Sequence, residues 1–165
     1  MKINHFIVFL AIIILSGCEQ DTQKIFVVDL SKVIKTSYIQ KQEDERNKQI
    51  LDIIKTAKNE ASSTYNEMKK EDIENARQAD NMTLTQLWVK EKQSSRQKTI
   101  DAIHEKIDSM YKKDDELVIL NAAGVVLSGR STDITQKVIG MVADVTVDYG
   151  PLPVVNVSSA KKNKR

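Results

Sequence analysis

Cysteine occurs once in these 165 residues, at Cys18, so no intrachain disulfide and no cysteine-built metal centre can form. Histidine is nearly as scarce, at His5 and His104, and His104 alone lies beyond the N-terminal apolar stretch. That leaves no pair of histidines for a metal site and no support for a Ser-His-Asp triad. Aromatic residues make up 5% of the chain while charged residues make up 29%, a balance lean for a compact globule and suited to long exposed helices. After Gly17 neither glycine nor proline appears until Gly124, so more than a hundred residues run without a strong helix breaker. A dominant charge is missing too. The net charge is +2; setting aside Lys2 and the four positive charges of Lys161, Lys162, Lys164 and Arg165 leaves the body from Cys18 to Ala160 at −3. A body of that charge offers no basic face for nucleic acid.

What is present begins at the N-terminus. Lys2 precedes an unbroken apolar run from Phe6 to Leu15, followed by Leu15-Ser16-Gly17-Cys18. Ten apolar residues are about half of the ~20 needed to span a bilayer, so 1–17 reads as a secretory signal rather than a retained anchor. The pattern LSGC resembles the bacterial lipobox. That resemblance implies cleavage before Cys18 and lipidation of its thiol, with residues 18–24 as a lipidated linker and the membrane reached through the lipid. Glu19 stands where an Asp would signal inner-membrane retention and is not a clean match to it, so on the periplasmic side of the envelope the outer membrane is favoured over the inner.

Ile25–Leu30 (IFVVDL) is short, apolar and β-branched and predicts a buried strand, with Ser31 placed to cap the next helix. Residues 31–113 carry the Lys, Glu, Gln, Asn and Ala of helix. Ile50, Ile54, Ala57, Ala61, Thr64 and Met68 alternate four and three apart, a narrow coiled-coil seam. A second series runs through Leu84, Leu87, Trp88, Ile100, Ile103, Ile107 and Met110, and Glu71–Asn81 between the two has no seam. One helix of that length would run about 125 Å, whereas folding back buries both seams, so the spacing predicts two arms with their tip near 71–81 and Trp88 opposite Ala57 and Ala61. Residues 117–120 and 125–127 then predict a β-hairpin turning at Gly124, and Thr132 or Asp133 can cap a final helix over 133–146. Gly124 and Gly129 followed by Arg130 share the spacing of a phosphate-binding loop, but the Val-Val-Leu between them reads as strand, so the hairpin is preferred. Asp114, Asp115 and Glu116 read as a solvated link, and residues 148–165 as a flexible basic tail. The fold class expected is α+β, a long helical hairpin projecting from a small β-rich head. Strands this short leave apolar edges, and Val27, Val28, Val118, Ile119, Val125 and Val126 are expected to bury them between subunits. No catalytic residue, metal ligand or cofactor site is expected.

IFVVDLSKVIKTS at 25–37, the long charged helical stretch, and ELVILNAAGVVLSGRSTDITQKVI at 116–139 together resemble the OmpH/Skp family of periplasmic chaperones. The resemblance covers about residues 24–145. It implies a homotrimer whose head is built from strands of three subunits, with helical hairpins around a cavity that holds unfolded outer-membrane proteins without ATP. The arms here carry 17 basic and 14 acidic residues, a weaker positive balance than that family's. Met68, Ile73, Met82 and Val89, left over from the seams, are the candidate client contacts. A structural lipoprotein of a conjugative-transfer or secretion apparatus is the rival expectation, because a lipid anchor and a proline-containing basic tail suit a fixed assembly partner.

Overall fold

The computed structural model describes residues 24–112, 117–125 and 131–157. Cys18 with its leader, the acidic link at 114–116, Val126, Leu127, Gly129, Arg130 and the basic end at 161–165 lie outside the described residues. The fold is α+β, long helices joined to a small three-stranded parallel sheet. Strand β1 (Lys24–Val28) is central, flanked by β2 (Leu117–Asn121) and β3 (Ser131–Asp133). Both neighbours run parallel to it, with Ile25 opposite Val118 on one side and Ser131 on the other.

Strand β2 thus pairs with β1 in parallel, while the hairpin expected between 117–120 and 125–127 falls in part on 126–127, outside the described residues. The Asn121 side chain accepts from the Ala123 backbone N–H at 3.2 Å and turns the chain into a 3-10 turn (Ala122–Gly124), leaving Val125 extended but outside the sheet. An Asn side chain that bonds the backbone two residues on makes such a local turn. Parallel strands need a long crossover, and the helices between β1 and β2 supply it.

Helix α1 (Leu30–Thr36) is capped by Asp29, not Ser31: the Asp29 carboxylate accepts from the Lys32 N–H at 2.9 Å. Ser37 adopts extended backbone, and α2 (Tyr38–Thr64) follows. A 3-10 turn at Tyr65–Glu67 and extended Met68 and Lys69 reverse the chain into α3 (Lys70–Tyr111). The reversal thus falls ahead of 71–81, whose residues form the first turns of α3. Glu71 and Asp72 lie in its first turn, where negative charge complements the helix dipole. The 27 residues of α2 and 42 of α3 correspond to about 40 and about 63 Å.

The core sits where the helices meet the sheet. Val28, Val33, Ile34, Ile103, Ile107 and Val138 pack there, and Phe26 meets Tyr111 edge-on at 5.5 Å. Val27 and Val28 are 1% and 3% exposed within the single chain, so they are covered without a second subunit, whereas Val118, Ile119 and Val125 stay half-buried. Helix α4 spans Thr135–Met141, shorter than expected at both ends, because Val142 turns out of helical geometry. Neither predicted cap takes the N-cap position, which falls to Ile134 without a side-chain bond; Asp133, one residue earlier, accepts from the Thr135 N–H at 2.8 Å in the turn that leads into the helix. Those hydrogen bonds from Thr135 hold its carboxyl below the usual carboxylate range. The chain then runs on through 145–157 as an irregular strap, laid along the helices rather than hanging free.

Candidate functional site: the helix pair and the strap across its base

Three side-chain contacts set the antiparallel register of α2 and α3. Arg96 meets Glu43 at 3.0 Å, Arg46 meets Glu91 at 3.6 Å, and the Tyr65 hydroxyl donates to Asp80. Trp88 consequently lies level with the region of Ile50, not with Ala57 and Ala61, and Leu84 shares a hollow with Ala61 and Tyr65 instead. Lys92 stands 5.9 Å from the Trp88 ring centroid. Near the turn, the hydrogen bond to Asp80, then burial and the Asp80 charge, push the Tyr65 hydroxyl above its usual pKa, against the pull of Arg77. Arg77 lies 5.5 Å from the Tyr65 ring centroid, a cation–π contact that closes the end of the pair.

The seam of α2 continues toward the head through Ile50, Arg46, Glu43 and Ile39, all buried. Two charged residues thus occupy positions that the spacing reserves for apolar ones. An apolar-periodicity search passes over them. Opposite them α3 buries Ser95 and Thr99, whose small side chains leave room for long charged partners. Glu43 Oε2, Arg46 Nε and Asn47 Oδ1 are buried without a hydrogen-bond partner.

Arg46 donates to the carbonyls of Gly150 at 3.1 Å and Pro151 at 2.7 Å. Lys98 donates to the Tyr149 carbonyl at 2.7 Å, and the Tyr149 hydroxyl pairs with that of Thr99 at 3.0 Å. Gln42 donates to the Val145 carbonyl at 2.8 Å and accepts from the Val147 N–H at 3.0 Å. Gly150 takes φ +70°, a left-handed conformation that glycine adopts without penalty, and its N–H reaches back to Asp148. Both helices therefore grip the backbone of the strap. Burial raises the Tyr149 hydroxyl pKa, and the Thr99 hydrogen bond partly offsets that.

Of the candidate client residues, Met82 and Val89 are 56% and 46% exposed on α3. They are seven residues apart, within about 20° of one another around the helix, so they share a face. Ile73, nine residues before Met82, falls on the opposite side and is half-buried, and Met68 is half-buried at the reversal. The four do not form one patch. An apolar hollow of about 980 Å³ lies between the end of α3 and β2, lined by Ile107, Tyr111, Leu117 and Ile119 with His104 at its edge. No described helix is long and apolar enough to cross a membrane, and no group of three metal-ligating side chains occurs among the described residues. Compared with protein-family models, curated proteins and solved structures, the chain matches none.

Proposed function

We propose that this protein is an envelope-anchored, ATP-independent holdase of the OmpH/Skp kind, lipidated at Cys18 and binding unfolded outer-membrane proteins along its helix pair as a homotrimer. The observation that carries the reading is the chemistry of the pair's surface. Isolated apolar side chains, Met82 and Val89 on α3 and Leu51 on α2, stand exposed among charged and amide side chains. Such a surface makes many weak contacts with an extended chain and no tight contact with a folded one. The neutral-to-acidic body adds no strong steering of clients by charge.

The structural-component reading is favoured by a different observation. Hydrogen bonds from Gln42, Arg46 and Lys98 fasten α2 and α3 to one strap, a rigid arrangement suited to a fixed partner. The two diverge in a turbidity assay of a urea-denatured β-barrel protein diluted into buffer with and without the chain. The holdase keeps the barrel soluble at near-stoichiometric amounts without ATP, and Met82→Glu with Val89→Glu weakens that protection several-fold. Aggregation unaffected by excess chain moves the assignment to the structural reading. Light scattering tests the trimer, best perturbed by Val118→Asp on the half-buried edge strand, because Val27→Asp would place a charge in the interior of the single subunit.

A further inference from the structure

The strap changes character at Pro151. Up to that residue its backbone is held by Gln42, Arg46 and Lys98, and Val147 joins the core. Beyond it, no hydrogen bond among the described residues ties Leu152–Val157 to the helices. The segment instead alternates: Leu152, Val154 and Asn156 are exposed while Pro153, Val155 and Val157 are half-buried, the period of an extended chain lying on one face. Its direction follows α2, since Val145 lies at Gln42, Pro151 at Arg46, and Val155 beside Ile53, Thr56 and Ala57. Val155 does not fill that furrow, and a hollow of about 290 Å³ remains there. Val154 is 83% exposed, the most open of the large apolar side chains described. Pro151 and Pro153 keep the segment extended at little entropic cost. A short apolar ribbon held by contact alone, in a furrow larger than its side chains, is a displaceable occupant.

We propose that the furrow on α2 beneath Pro153–Val157 is a binding site for an extended apolar stretch of unfolded polypeptide, filled in the resting chain by its own C-terminal segment. The occupant's chemistry defines the ligand: β-branched or proline side chains at every second position, the middle one, Val155, beside Ile53 and Ala57. Asp52 and Glu60 on the rim disfavour acidic stretches. The segment acts as a tethered competitor, its high effective concentration offsetting its weak contacts. This deepens the holdase reading and rests on it for the natural ligand.

The test is fluorescence anisotropy with a labelled peptide of sequence LPVVNV. It compares the full chain, the chain ended after Pro151, and full-length Val155→Asp with Val157→Asp, whose segment is loosened without truncation. The truncated and doubly substituted chains should bind the peptide about tenfold more tightly, as expected if the furrow is free in about a tenth of intact chains. Thr56→Arg, at an exposed position on the furrow, should abolish that binding in the truncated chain while leaving its thermal midpoint unchanged. Equal affinity for intact and opened chains, or binding that survives Thr56→Arg, overturns the proposal. The denatured-barrel assay separates it from the holdase reading. Peptide binding that follows the pattern above without protection of the barrel supports the furrow and removes the holdase. Protection of the barrel with peptide affinity unchanged by opening does the reverse.

Discussion

Glu43 and Arg96 share an ion pair unequally: the carboxylate is 2% exposed, whereas the guanidinium is 43% exposed. Removing Arg96 strands a charge in a place it cannot leave, while removing Glu43 merely frees an arginine to turn toward water. Arg96→Ala is therefore expected to cost about 3 kcal/mol or more, although the residue looks half-exposed. Glu43→Gln should cost only about 1 kcal/mol. Replacing both, Glu43→Leu with Arg96→Met, should be neutral or stabilising. Urea unfolding of the three variants measures the order, and equal losses from the single changes would show that the carboxylate reaches water after all. What the pair supplies is register: a charged residue at a seam position accepts few alternative alignments of the helices. Glu43 reads in the sequence as one of many surface acids, and only the fold reveals that its position continues the Ile50, Ala57, Ala61 series.

Among the elements, the strap is the one whose stability answers to pH. Burial raises the Tyr149 hydroxyl above its usual value of about 10. The unfolded chain loses that proton first, so the stabilisation is complete below about pH 10 and fades as pH rises toward the folded value. Ultraviolet titration should show one late-ionising tyrosine that Tyr149→Phe removes, and the variant's stability should fall less steeply above pH 10. A stability curve identical in both would detach Tyr149 from the strap's hold. The helices were legible in the sequence because a long stretch without glycine or proline leaves few other options, and the seam residues Ile50, Ala57, Ala61, Leu84, Ile103 and Ile107 are indeed buried. The strap was not, because Val145–Pro151 has no periodicity of its own. Its partners are backbone carbonyls, which any sequence carries. Sheet order escaped for a similar reason. The third strand, Ser131–Asp133, is polar and lacks the apolar signature of a buried strand, and the parallel pairing of β1 with it and with β2 leaves no mark in local composition.

At the scale of the whole molecule, β1 lies at the start of the described chain and both of its neighbours near the end. Ile25 cannot meet Val118 or Ser131 until the helix pair between them has closed, so local helix formation precedes the long-range pairing. A chain ended at Lys112 should keep most of its helical circular dichroism yet bind a hydrophobic dye such as anilinonaphthalene sulfonate, because Ile25–Val28 has nothing to pair with. Dye binding no greater than that of the full chain would mean that α1 and α3 alone cover β1. The central position of β1 has a further meaning for a chain delivered N-terminus first, on a ribosome or through a secretion channel. This apolar strand emerges before either of its partners and waits for Leu117–Asn121 and Ser131–Asp133 to follow. A copy that stops short of Leu117 therefore leaves both edges of β1 without a strand partner. The strand order thus makes closure of the sheet wait for the last strand to be delivered.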